Sequence, residues 1–251
     1  MTVAADRPGT WAAERLLVAL ACRVLVARGL ADGLLGHVSM RVDADRLLVR
    51  CRGPQERGLA ASSPEDVRLV TLDGAEGASG ELDGGYRPPH ELPLHTEVMR
   101  ARPDVQSVVH AHPEAVVALD LAGRQVRPVI GALDIPGARL AAGGVPVYPR
   151  SVLVSDAGLG RAVAASLGER PVVILRGHGL TSAAASVEEA VLQAVSVNRI
   201  ARISLTVLTA GGRLDDLPAD DLDALPDLGG ALNASAAWQH ELARADQLLR
   251  N

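Results

Sequence analysis

Four of the seven histidines in this 251-residue sequence fall between Pro88 and Pro113, in PPHELPLHTEVMRARPDVQSVVHAHP, with Glu91 beside them. The segment VQSVV reads as a buried strand that runs straight into His110-Ala111-His112. A strand has a side-chain period of two, so His110 and His112 point to one face. Two imidazoles on a rigid support suit a divalent metal ion. An H-x-H pair alone is a weak signal, because a histidine at a strand end more often serves a structural hydrogen bond. A second apolar run, PVVILRGHGL, adds His178 between Gly177 and Gly179, and the glycines let the backbone turn sharply against a site. Three neutral imidazoles with an open fourth position describe a catalytic rather than a structural metal centre.

Other residues could supply chemistry around such a centre. Glu91 sits at the start of the predicted helix ELPLHTEVMRARP and suits a working carboxylate, with His95 four residues on, on the same predicted helix face. His37, Ser39, Arg41, Arg50 and Arg52 lie on or near the strands that follow the glycine turn GLLGH. Taken singly each reads as surface decoration; clustered, guanidinium forks bind an anion.

Composition removes whole classes of function. The sequence contains no lysine, so arginine carries all of its side-chain positive charge. Schiff-base aldolases, acetoacetate-type decarboxylases and pyridoxal-phosphate enzymes need a lysine amine. A net charge of −5, no phenylalanine and two residues each of tyrosine and tryptophan argue against nucleic-acid binding. Cys22 and Cys51 have no metal-ligand spacing, and no signal peptide or apolar run of membrane-spanning length is read. The expectation is a reduced, cytoplasmic protein with no membrane partner.

These residues need a scaffold. Residues 1–10 read as a loose leader. Trp11 to Arg28 reads as an amphipathic helix stopped by Gly29, and HVSMRV and DRLLVRCRG as a hairpin turning at 43–45. A capped helical turn at Ser63-Pro64 precedes the strand RLVTLDG. After the histidine strand come a helix (PEAVVALDLAG), a short strand (RPVIGALDI), an extended stretch (GVPVYPRSVLVS) and a helix closed by Gly168. The His178 strand follows, then a long helix capped by Ser186. An acidic, proline-bearing stretch and a helix from Ala234 to Leu249 end the sequence. Strands and helices alternate irregularly, which predicts a mixed sheet with helices on both faces.

The order GHVSMR, SSPEDVRLVTLDG, E-x-x-x-H…RPDV…VVHAH and LRGHGLTSAAASVEEA resembles the class II aldolase/adducin family over nearly the whole sequence. That resemblance implies a three-layer α/β/α fold over residues 11–210, with 211–251 packing on the same domain. It also implies a homotetramer with sites between subunits, a divalent metal on His110, His112 and His178, and Glu91 as the acid/base. Sugar-phosphate members hold phosphate with GNxS, TPTG-like and SSE segments; here GHVS, CRGP and PHE stand instead, with His37, Pro89 and His90 in place of small donors. GHVSMR, LVRCRGP and the ELPLH block are similar to the 3,4-dihydroxyphthalate decarboxylase-like branch. The resemblance therefore implies a metal-dependent decarboxylase of a hydroxylated aromatic dicarboxylate, in aromatic catabolism. His37, Ser39, Arg41, Arg52 and His90 are then the candidates for holding substrate. The acid role asks that the pKa of Glu91 be raised. Zinc is the first choice of metal, with manganese, iron or cobalt as alternatives. Two other readings stand beside this one: a metal-dependent aldolase acting on a small hydroxy-carbonyl compound, and a metal-binding, non-catalytic assembly module.

Overall fold

The structure is a computed structural model that describes residues 11–228 and 235–249. The expected leader at residues 1–10 and the expected helix start at Ala234 lie outside the described residues. The chain opens with helix α1 (Ala12–Ala27), whose buried stripe Val18, Ala21, Cys22 and Leu25 repeats at helical spacing. Gly29, in the left-handed region at φ +63, follows it and turns the chain back. Strands β1 (His37–Arg41), β2 (Arg46–Arg50) and β3 (Val67–Thr71) then form an antiparallel meander.

Helix α2 (Pro93–Ala101) leads into β4 (Ser107–Ala111), followed by α3 (Glu114–Leu121), α4 (Ile135–Ala141), β5 (Val147–Tyr148) and α5 (Ala157–Leu167). Strands β6 (Val172–Leu175) and β7 (Gly179–Ala184) precede the long α6 (Val187–Thr209), α7 (Ala219–Ala224) and α8 (Ala237–Leu249). The sheet runs β3-β2-β1-β4-β7-β6-β5, antiparallel throughout except for the parallel β5–β6 pair.

Two apolar clusters sandwich this mixed sheet. Residues of α1, α3, α6 and α8 pack on one face, and residues of α2 and α5 on the other. The result is the expected three-layer α/β/α domain. The strand alternation is visible in β4: Val109 joins the first cluster and Val108 the second. His110 therefore projects with Val108, toward the α2 layer. At the C-terminal end, α8 contributes Trp238 and Ala245 to the first cluster, and its Glu241 lies 3.4 Å from Arg28 of α1.

Four expectations are corrected. RPVIGALDI forms no strand; residues 124–130 are irregular, and Asp134 instead caps α4 by accepting from the Gly137 N–H. Pro128 has no N–H to give a ladder, and the sheet edge there is taken by the two-residue β5. PVVILRGHGLTSAA is not one strand but a hairpin, β6 and β7, with His178 at its turn. Glu91 stands in the turn before α2 rather than on a helix face shared with His95. Finally, α6 is apolar and long enough to cross a membrane, by length and composition. Here it is a core helix, burying Val187, Ala190, Val191, Ala194 and Val197 among others.

Candidate metal centre

Antiparallel pairing brings the C-terminal end of β4 and the N-terminal ends of β1 and β7 together at one end of the central strands. His37 pairs with His110 across β1–β4, and Ala111 with Leu180 across β4–β7. His112 follows β4 by one residue, and the β6–β7 turn delivers His178 just before Gly179. Glu91 enters from the α2 side. One ligand atom from each of Glu91, His110, His112 and His178 lies within 4.8 Å of all the others. The structure thus brings together the three histidines and the carboxylate singled out from the sequence.

The donor set fits a metal ion. His110 Nδ1 lies 2.9 Å from the carbonyl oxygen of Leu180, which can only accept, so Nδ1 carries the proton. In the neutral imidazole Nε2 then holds a lone pair, and it faces Glu91 Oε2 at 3.3 Å. His178 Nε2 lies 3.7 Å from the same oxygen. Acceptors converging in this way call for a positive charge between them. His110 Nε2, His112 Nδ1 and His178 Nδ1 are all buried without a hydrogen-bond partner. A carbonyl fixing the far nitrogen of a histidine is the usual support of a metal ligand.

The electrostatics agree. Burial, then the positive potential of His110 and His178, pushes His112 down to about 3. Burial and His110 also lower His178. Both imidazoles are neutral near pH 7, as a metal requires. Glu91 departs from expectation. Burial pushes its carboxyl up, while the Val154 N–H (3.0 Å from Oε1) and, whenever they are protonated, the His110 and His178 imidazoles pull it down to about 2. It is an ionised carboxylate at rest, not an acid waiting with a raised pKa.

The expected substrate-binding residues divide. His37 and Ser39 share the α2-facing side of β1, and a buried chain links them through His95. His37 Nδ1 lies 2.7 Å from His95 Nε2, and His95 Nδ1 lies 2.6 Å from Ser39 Oγ. Ser39 is fully buried, so it supports His95 and does not reach a ligand. The His37 ring sits 5.1 Å from that of His110. Burial, His95, His110 and His112 push His37 well below its ordinary value, and Arg52 adds to this.

Arg41 lies at the opposite end of β1, because three residues of strand separate it from His37. Its guanidinium is committed to the carbonyl oxygens of Val105 and Met99. It is placed outside the site. Arg52 and His90 are exposed and line a cavity of about 380 Å³ together with Gly53, Arg87 and Pro89. Arg52 and Arg87 face each other through a pair of 2.9 Å backbone hydrogen bonds. Arg87 was missed by the sequence reading; its only sequence signal is adjacency to the PPHE segment. Cys22 and Cys51 are free and buried, and burial pushes both thiols up to about 12, which leaves them inert.

A mixed-sheet α/β/α domain with three imidazoles and a carboxylate gathered at one end of its central strands defines the class: an α/β protein with a candidate metal centre. The chain belongs to the class II aldolase and adducin family; the profile described as Class II Aldolase and Adducin N-terminal domain matches residues 17–205. Among curated relatives, the 3,4-dihydroxyphthalate decarboxylase of Terrabacter sp. (strain DBF63) is 64% identical over 236 residues, covering 94% of this chain and 98% of the relative. The protein of the same name from Arthrobacter keyseri is 63% identical, covering 94% and 96%. Among solved structures, an aldolase II superfamily protein from Pseudomonas syringae superposes with a TM-score of 0.76 at 22% identity, covering 98% of each chain. At that identity the likeness speaks for the fold.

Proposed function

We propose that this chain is a divalent-metal-dependent carboxy-lyase that removes one carboxylate from 3,4-dihydroxyphthalate or a closely similar hydroxylated aromatic dicarboxylate. The observation that carries the reading is full-length identity of 64% to a decarboxylase of that substrate, in a chain that keeps a four-residue metal cluster. In this reading His110, His112 and His178 hold the metal, with zinc the first choice. The bound ion supplies a Lewis acid that draws negative charge out of the ring as carbon dioxide departs. Arg52, with Arg87 and His90 beside it, takes the carboxylate that is retained, as a charge-assisted contact. His37, whose ring lies beside that of His110, orients a ring oxygen.

Glu91, gathered with the three imidazoles, is the group placed to move the proton. Glu91 starts as a carboxylate, accepts the proton of a ring hydroxyl, and returns it to the ring carbon whose bond to carbon dioxide has broken. Solvent restores the hydroxyl proton in the product. Cleavage of a phosphorylated sugar fits less well, since the position opposite Arg52 offers Pro89 and an exposed imidazole rather than small hydroxyl donors. The finer reading includes a cytoplasmic homotetramer with sites between subunits.

The test is carbon dioxide release from 3,4-dihydroxyphthalate by metal-loaded protein, with chelator-treated protein as control. Metal-dependent release with a dihydroxybenzoate product is expected. Metal-replete protein that releases none from any hydroxylated aromatic acid overturns the reading and turns the search to non-phosphorylated hydroxy-aldehydes.

A further inference from the structure

We propose that Asp120 is a positioning residue of the metal centre, which ties the turn carrying His178 to the helix that begins behind His112. The inference needs only the metal site and stands apart from the reaction assigned above.

Asp120 lies in the last turn of α3 and is 8% exposed. A carboxylate there is badly placed by the ordinary rules. The C-terminal end of a helix carries partial negative charge, and a buried carboxylate needs partners. Arg176 offers only partial compensation: its side chain is exposed and its Nη2 lies 3.8 Å from Asp120 Oδ1. What Asp120 does have is a hydrogen bond from outside its helix. Its Oδ2 accepts from the Gly177 N–H at 2.9 Å.

Gly177 is the pivot of the β6–β7 turn. It sits at φ +56, a conformation that favours glycine, and the His178 N–H closes the turn onto the Leu175 carbonyl at 3.0 Å. The turn is therefore held at two points, by its own closing bond and by Asp120. The other end of α3 starts from the second ligand. Pro113 is its N-cap, and His112 precedes that cap with its N–H on the Leu30 carbonyl at 2.8 Å.

The path His112–Pro113–α3–Asp120···Gly177–His178 closes a ring with the metal site at its gap. Across that gap the His112 and His178 rings stack at 5.0 Å with an 18° interplanar angle. The approach is close. A side chain at Gly179 would place its Cβ 2.2 Å from the Ala111 carbonyl oxygen and 3.0 Å from His112 Cδ2. The eight residues of α3 act as a strut that sets the spacing of two ligands, and Asp120 is its fastening.

The test uses the full chain loaded with cobalt(II), reading affinity by competition with a chromophoric chelator and geometry by the visible absorption of the bound ion. Asp120→Ala is expected to weaken cobalt binding by about 10- to 100-fold, the usual effect of removing a group that orients metal ligands, and to change the spectrum. Asp120→Asn keeps an oxygen that accepts the Gly177 N–H and is expected to restore affinity to within about threefold, with the parental spectrum. Asp120→Ser ends short of Gly177 and must show the same loss as alanine. Parental affinity and spectrum in the alanine or serine variant overturn the proposal, the serine result deciding where the alanine variant does not fold. An asparagine variant as weak as alanine overturns it too.

Discussion

Lowering the pH from 7 to 5 should destabilise the metal-free protein through its buried imidazoles. His95 is fully buried, and burial followed by the charge of His110 holds it at about 3, against 6.5 when exposed. A group whose folded pKa is depressed in this way binds its proton in the unfolded state first. Its contribution is intact above 6.5 and is eroded as the pH falls from 6.5 toward 3. With those two values, His95 alone removes about 2 kcal/mol between pH 7 and pH 5, out of a total of roughly 5–15 kcal/mol for a domain. His112, also held at about 3 but with a partly exposed ring, adds a smaller amount. Glu91 does not contribute in this window. Its folded value of about 2 lies below 4.5, so its share is intact above 4.5 and is lost only as the pH falls through 2. The assay is denaturant unfolding of chelator-treated protein at pH 7, 6 and 5. Stability at pH 5 within about 0.5 kcal/mol of that at pH 7 would refute the reading of His95 as a buried, neutral imidazole.

Glu91→Gln keeps the size of the side chain and removes the proton acceptor. Metal content should be unchanged and turnover should fall by about 10²–10⁴, and full turnover would end its proton-transfer role. His110→Ala removes the ligand whose far nitrogen is fixed by Leu180, so metal analysis should find the site depleted; parental metal content would contradict the triad. Arg52→Ala should raise KM by about 10- to 100-fold with kcat changed far less, the loss of one charge-assisted contact made equally in ground and transition states; an unchanged KM removes it from substrate binding.

The metal cluster was legible because each ligand carries a local signal. H-x-H after an apolar run states both the strand and the shared face, and glycines around His178 announce a turn. What sequence could not supply was distance along a strand and commitment of side chains. Ser39 and Arg41 share the strand of His37 and were grouped with it. The alternation that turns Ser39 inward places it under α2, where His95 takes its hydroxyl, and two further residues carry Arg41 to the far end. The apolar letters of RPVIGALDI state burial but not whether a neighbouring strand is there to pair with. The low pKa of Glu91 was equally invisible, since it arises from His110, Val154 and His178, which lie far from it in sequence.

The sheet order bears on when the site can exist at all. β4 carries His110 and leads directly into His112, yet its neighbour on one side is β7, which follows it by nearly seventy residues. A chain leaving the ribosome presents Glu91, His110 and His112 early, at a few to twenty residues per second, while His178 and the strand that fixes it arrive seconds later. Until β7 docks between β4 and β6 there are imidazoles but no cage. Closing a loop of this span is entropically slow compared with the local hairpin of β1 and β2. A metal ion that met the nascent chain before β7 docked would find fewer ligands and leave more readily.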